Sequence, residues 1–205
     1  MIDPSTLAAF ALTSVIIELT PGPNMAYLAI LATAEGRRAG FAALTGVALG
    51  LLLVGIAAAM GLATLISGSP LAYETLRWGG VLYLFWLAWE GWRDERETSP
   101  GKAERTEHAR FFSRGLITNL LNPKAALFYI AILPGFLTPD ASLAFQGLIL
   151  TLVYVCIATA IHILIVVLAD ASRTFFASQN PVYVRKGLSL LLAVVAIWFA
   201  YKTSS

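Results

Sequence analysis

Apolar residues fill six long stretches of this chain, at residues 5–34, 40–66, 72–92, 111–137, 143–169 and 183–201. Each is close to or above the roughly 20 residues an α-helix needs to cross a bilayer. Polar breaks fall at Glu35–Arg38, Ser67–Pro70, Arg93–Arg110, Thr138–Asp140 and Asp170–Pro181. The pattern predicts an all-α membrane protein of six transmembrane helices. Only the third break is long. With five basic residues, five acidic residues and Ser99-Pro100-Gly101 near its centre, it reads as a solvated linker rather than a domain.

That linker, 93–110, divides a single transmembrane domain, 1–205, into a first three-helix repeat, 1–92, and a second, 111–205. An odd number of helices per half makes the second half insert inverted relative to the first. The basic residues give the orientation. Arg37, Arg38, Arg93, Arg96, Lys102, Arg105, Arg110, Arg114, Arg173, Arg185 and Lys186 flank or fill the odd-numbered breaks, which is 11 of the 14 Lys and Arg. Only Arg77 and Lys202 lie on the other side, and Lys124 lies within a span. Such a bias marks the odd-numbered loops as cytoplasmic and places both termini outside. Trp89 and Trp92 at the inner end of the third helix, and Trp78, Trp198 and Tyr201 near outer ends, fit interfacial belts.

Composition agrees with a lipid-covered surface. The chain is 58% hydrophobic and 13% charged, against about 45–50% and about 25% in soluble domains. A net charge of +2 argues against a nucleic-acid partner. The single cysteine, Cys156, lies in an apolar run and allows no intrachain disulfide or metal cluster. Met1-Ile2-Asp3-Pro4 lacks the basic start of a cleaved signal peptide, so the first apolar segment is expected to stay as a helix. Gly46 and Gly50 permit close helix packing, within the bundle or in a homodimer.

Two spans carry helix breakers near their middles: Thr20-Pro21-Gly22-Pro23-Asn24 in the first and Asn122-Pro123-Lys124 in the fourth. Proline disrupts a helix interior but suits the first turn of a new helix, with Thr or Asn as cap. Both motifs therefore predict a new helix starting at the midplane, at Thr20-Pro21 and at Asn122-Pro123. Backbone groups freed there must line a cavity or be buried in protein. Paired interruptions in inverted halves point to a transporter binding site, where half-helix starts present N–H groups and a positive dipole end to an anion.

Thr20-Pro21-Gly22-Pro23-Asn24 resembles the helix-one signature of the lysine exporter and homoserine–threonine exporter family. Gly36, Arg37, Gly40, Phe41, Gly46 and Gly50 look like its next block. Phe112, Gly115, Asn119, Asn122-Pro123-Lys124, Phe128, Leu133-Pro134 and Phe136 look like its helix-four signature. The resemblance extends over essentially the whole chain. It implies a secondary exporter of amino acids in the bacterial cytoplasmic (inner) membrane, driven by the proton gradient, with no cofactor and no ATP. One departure is Glu18, where many relatives carry an apolar or small residue, so the substrate does not transfer by analogy.

Ionisable groups inside a span are costly and usually functional. Glu18, one turn before Pro21, suits a substrate ammonium or a coupling proton, or else bonds a neighbouring helix. Lys124 suits a substrate carboxylate, or a structural pair with Glu18. His162 is a candidate proton relay or a polar packing residue. Asp170 is a further coupling candidate, interfacial or gating against Arg37 or Arg38. Glu90 reads as interfacial, and Glu74 with Arg77 as a local pair. Asn24, Asn119 and Asn122 add amides that need partners. The candidate substrate site is thus Glu18, Thr20, Pro21, Gly22, Pro23, Asn24, Asn119, Asn122, Pro123 and Lys124, for a small amino acid. The alternative is an exporter of another small solute or a metal ion, for which carboxylates, histidines and thiols are sparse. No catalytic constellation is evident.

Overall fold

The first helix, α1 (Pro4–Leu19), starts where Pro4 needs no N–H partner and where the Asp3 side chain accepts from the Ser5 amide at 3.0 Å. The bonds from Ser5 hold the Asp3 carboxyl below the usual carboxylate range. α1 ends at Thr20, whose extended backbone (φ −71°, ψ 122°) is what a following proline favours. The computed structural model describes residues 2–60, 69–93, 104–138, 142–176 and 181–202. α2 (Pro23–Glu35) follows a 57° bend. Gly36, at φ +89°, joins it to α3 (Arg37–Ala59), and a Cβ there would be both strained and driven into Arg173. Next come α4 (Pro70–Arg93) and α5 (Glu104–Leu120).

A second bend, of 48°, separates α5 from α6 (Pro123–Leu127) and the turns that continue it. These are a π turn at Phe128–Ile132, closed by the Leu133 amide on the Phe128 carbonyl, and a 3-10 turn at Leu133–Phe136. Pro134 lacks the N–H that would continue regular α-helix there. The long α7 (Leu143–Phe176) and α8 (Pro181–Lys202) complete the chain.

Among the described residues, three helical stretches are long and apolar enough to cross a membrane: Arg37–Ala59, Leu143–Arg173 and Val182–Tyr201. Counting each bent pair as one span makes five. The third stretch expected from the sequence, in α4, falls short because Glu74, Arg77, Glu90 and Arg93 dilute its apolar residues. Those charges are nonetheless matched. Arg77 binds Glu74 at 3.0 Å and the Ala200 carbonyl at 3.0 Å, Glu90 pairs with Arg114, and Arg93 lies over the Trp89 ring.

Element ends differ from the expected breaks in two places. Residues 104–110, expected in the linker, already belong to α5, and Asp170–Phe176 continue α7. Ser67 and Gly68 of the second break, Arg96, Ser99-Pro100-Gly101 and Lys102 of the linker, and Asp140 lie outside the described residues.

The innermost helix is α2, packed on α3, α5, α7 and α8, while α3 runs between α5 and α7. The α3–α5 crossing is the tightest. A Cβ on Gly46 would collide with the Phe112 carbonyl, and one on Gly115 with the Ala43 carbonyl. Gly50 faces Asn119, whose Oδ1 would sit 2.7 Å from an added Cβ. Gly46 and Gly50 therefore serve packing within the chain. The outward faces carry large exposed apolar side chains, among them Leu12, Ile16, Leu82, Trp86, Leu164, Leu168 and Ile197. Water would leave these faces strongly unfavourable, and lipid covers them without that penalty.

Gly115→Leu is expected to destabilise the purified protein in detergent by about 1–3 kcal/mol through overpacking. Gly187→Ala, in α8 with nothing within 4 Å of an added Cβ, should stay within about 0.5 kcal/mol. Thermal unfolding compares the two, and equal midpoints would contradict the close crossing.

Candidate functional site

The two breaks meet. Glu18, in the last turn of α1, is 4% exposed, and its carboxylate gathers groups from two other segments. Lys124 Nζ, from the start of α6, lies 3.7 Å from Oε2. His162 Nε2, from α7, lies 3.6 Å from the same oxygen. The Tyr154 hydroxyl, two turns earlier on α7, donates to Oε1. Lys124 Nζ also donates to the Thr20 carbonyl at 2.8 Å, so one ammonium ties both the acid and the broken backbone of the first span to the second.

Local sequence explains these positions. Asn122 caps α6, its Oδ1 accepting from the Lys124 amide at 3.0 Å, and Pro123 takes the first helical position. The Lys124 stem then lies against Gly22, with Cδ 3.1 Å from where a Cβ would be. Any larger residue at 22 would push the lysine away from Glu18. Tyr154 is fixed by rings. It stacks on Phe128 at 3.7 Å between centroids and meets Tyr129 edge-on at 5.4 Å, while Phe10 packs edge-on against Phe128 and Phe136. The Tyr129 hydroxyl donates to the Leu51 carbonyl at 2.9 Å. The π turn thus sets the two rings that aim the Tyr154 hydroxyl.

Glu18, Gly22, Asn24, Met25, Asn122, Lys124, Tyr154 and His162 line a small internal cavity, with free space for about one water molecule. Asn24 Oδ1 and His162 Nε2 have no hydrogen-bond partner there. The first break differs from expectation in one respect. Thr20 caps no new helix; α2 starts two residues later, with Gly22 as cap and Pro23 at the first position. Pro21 holds Thr20 extended, and the second proline supplies the restart. Asn119 is fully buried against Gly50, with neither amide atom hydrogen-bonded, and lies off the cavity wall. Asp170 stands apart, eight residues or about 12 Å along α7 from His162. It accepts from the Arg37 amide at 3.0 Å and lies 3.8 Å from Arg173, where α2, α3 and α7 meet.

Gly22, Asn24, Asn122 and Lys124 of the motifs that resembled a family signature line this cavity, and a family model of the LysE type translocator matches residues 15–203. The chain belongs to the LysE type translocator family. It is a multi-pass membrane protein and a translocator rather than an enzyme. It is 34% identical over 143 residues, 69% of each chain, to a homoserine/homoserine lactone efflux protein of Salmonella typhimurium. It is 29% identical over 176 residues, 84% of each chain, to an uncharacterized membrane protein of Vibrio cholerae. A further uncharacterized membrane protein, from Pseudomonas aeruginosa, is 31% identical over 156 residues, 70% of this chain and 72% of the relative. No solved structure matches the chain.

Sequence reasoning missed Tyr154. An aromatic in the apolar run of α7 looks like core, and the signal available was only its eight-residue spacing from His162, which puts both near one helix face. A double-mutant cycle on Glu18→Gln and Lys124→Ala should return a coupling of about 0.5–3 kcal/mol in thermal unfolding. Additive effects would contradict a pair that links the two breaks.

Proposed function

We propose that this translocator exports amino acids or similar small zwitterions across the bacterial cytoplasmic membrane by proton antiport. The proposed topology is six spans in two inverted three-helix repeats, with both termini outside. α4 is the sixth span: its 24 residues reach about 36 Å, and its charges are matched by Ala200, Arg114 and Trp89. The observation that carries the reading is the Glu18–Lys124 contact between the two broken spans. It places a carboxylate and an ammonium where a zwitterion can replace each with its own opposite charge.

In this mechanism the Glu18–Lys124 pair is the closed arrangement of the site. The substrate carboxylate takes Lys124 and the substrate ammonium takes Glu18, with the unpartnered Asn24 Oδ1 as a second acceptor. The exchange leaves no charge unpaired in a low-dielectric interior, which is the costly outcome. Room for the substrate requires α1 and α2 to move away from α6 and α7, and that movement is the alternation of access. A proton arriving from outside on Glu18 or His162 resets the carrier. The Asp170 contact with the Arg37 amide is a latch at the cytoplasmic end, released as the helices rock. Homoserine, which the names of the Salmonella relatives give as cargo along with its lactone, is the zwitterion to try first.

Counterflow in proteoliposomes, with and without an imposed pH gradient, tests the reading. One class of amino acids should exchange, faster with the gradient. Lys124→Ala should weaken half-saturation by about ten- to a hundredfold, as losing one charge-assisted contact implies. Unchanged transport in that variant contradicts the carboxylate assignment. Full gradient-driven activity in Glu18→Gln/His162→Ala contradicts the coupling assignment.

A further inference from the structure

A second, larger opening lies away from the Glu18 cluster. It is a cleft with about 70 Å³ of free space between α2, α4, α5 and α8. Arg110 and Arg114 from α5, Arg185 from α8, Glu90 from α4 and Tyr27 from α2 stand on its walls. Arg114 pairs with Glu90, and its guanidinium lies 5.6 Å from the centroid of the Trp86 ring. Glu35, the last residue of α2, lies at the rim. The cleft therefore opens at the end of the bundle where the arginine-rich breaks gather, the end assigned above to the cytoplasm.

Four buried polar atoms on these walls have no hydrogen-bond partner: Nε of Arg114, Nε of Arg185, the Tyr27 hydroxyl and Oε2 of Glu90. Tyr27 is only 4% exposed. Buried polar groups are normally paired, and a group of them unpaired around one cleft calls for a ligand. Two are guanidinium donors, one is a hydroxyl that can donate, and one is an acceptor on a carboxylate. That set matches a molecule carrying both a carboxylate and an ammonium. A purely anionic group, such as a phosphate headgroup, would satisfy the donors and face Glu90 with like charge. Leu87 and Leu192 add apolar wall for a small side chain.

We propose that this cleft is a second amino-acid site, a vestibule that captures the cargo from the cytoplasm before it reaches the helix breaks. The carboxylate binds Arg114, Arg185 and Tyr27, and the ammonium binds Glu90. Tyr27 lies three residues, about 4.5 Å of helix, beyond Asn24 of the inner cavity, so the vestibule leads along α2 to the Glu18–Lys124 pair. The inference rests on the export reading and adds a residue set that the inner site does not contain.

The test is tryptophan emission of the full-length protein in detergent, with Trp86→Phe as the reference that isolates Trp86. L-homoserine is the probe and L-homoserine lactone, which lacks the carboxylate, the comparison. Homoserine should change the Trp86 signal at least about tenfold more tightly than the lactone, one charge-assisted contact's worth. Arg185→Gln should weaken it by a similar factor. Glu18→Gln should leave it in place, because the inner site is separate. Tyr27→Phe is the second variant should Arg185→Gln fail to elute as a monodisperse protein. Equal affinity for homoserine and lactone overturns the proposal. So does a signal insensitive to both variants, or one that appears only with phosphatidylglycerol and marks a lipid site. Counterflow of homoserine with no Trp86-dependent signal overturns the vestibule and leaves the export reading standing. Absence of counterflow for every amino acid removes the export reading itself.

Discussion

A carboxylate inside a membrane is tolerated only where other groups replace its hydration, and Glu18 is where this chain meets that constraint. Three segments converge on it. α6 brings Lys124, α7 brings Tyr154 and His162, and α1 brings the acid itself. Lys124 also holds the Thr20 carbonyl that the first break exposes. The same cation therefore answers a buried charge and a buried backbone group. The rest of the inner packing follows from keeping these atoms in place: Gly22 admits the lysine stem, and the Phe128 and Tyr129 rings of the π turn fix the tyrosine.

How much of this was legible in the sequence follows from how local each cause is. Proline acts on its own backbone, so both breaks could be read from Pro21, Pro23 and Pro123. The restart was displaced by two residues because either proline of Pro-Gly-Pro can begin a helix, and only the seat of Lys124 against Gly22 selects the second. Glu18 and Lys124 stood out because charge is rare in apolar spans, and their pairing was among the readings. Tyr154 was invisible, since its role depends on which helix α7 packs against, a property of tertiary structure. Arg110, Arg114 and Arg185 were legible only as topogenic charge. Their convergence with Glu90 and Tyr27 on one cleft depends on four helices meeting at one end. α4 shows the converse: its charges dilute its apolar residues, and neighbouring groups pair with those charges.

The account joins two sites of different character. The inner cavity is small, closed by its own ion pair, and lies where the two bent helix pairs come together. The outer cleft is open, with donors and an acceptor left uncommitted. An exporter benefits from that division. Capture at an open site does not require a buried pair to be broken, while passage through the closed site does, and only a ligand carrying both charges compensates both halves of the pair.

The central claim is that cargo opens the Glu18–Lys124 pair by substituting for each partner. Infrared difference spectroscopy on the purified protein, recorded on adding the amino acid that counterflow identifies, reads this directly through the carboxylate stretching bands. The account predicts a substrate-induced shift that vanishes in Glu18→Gln and changes in Lys124→Ala. A substrate that is transported without disturbing any band assigned to Glu18 would contradict it.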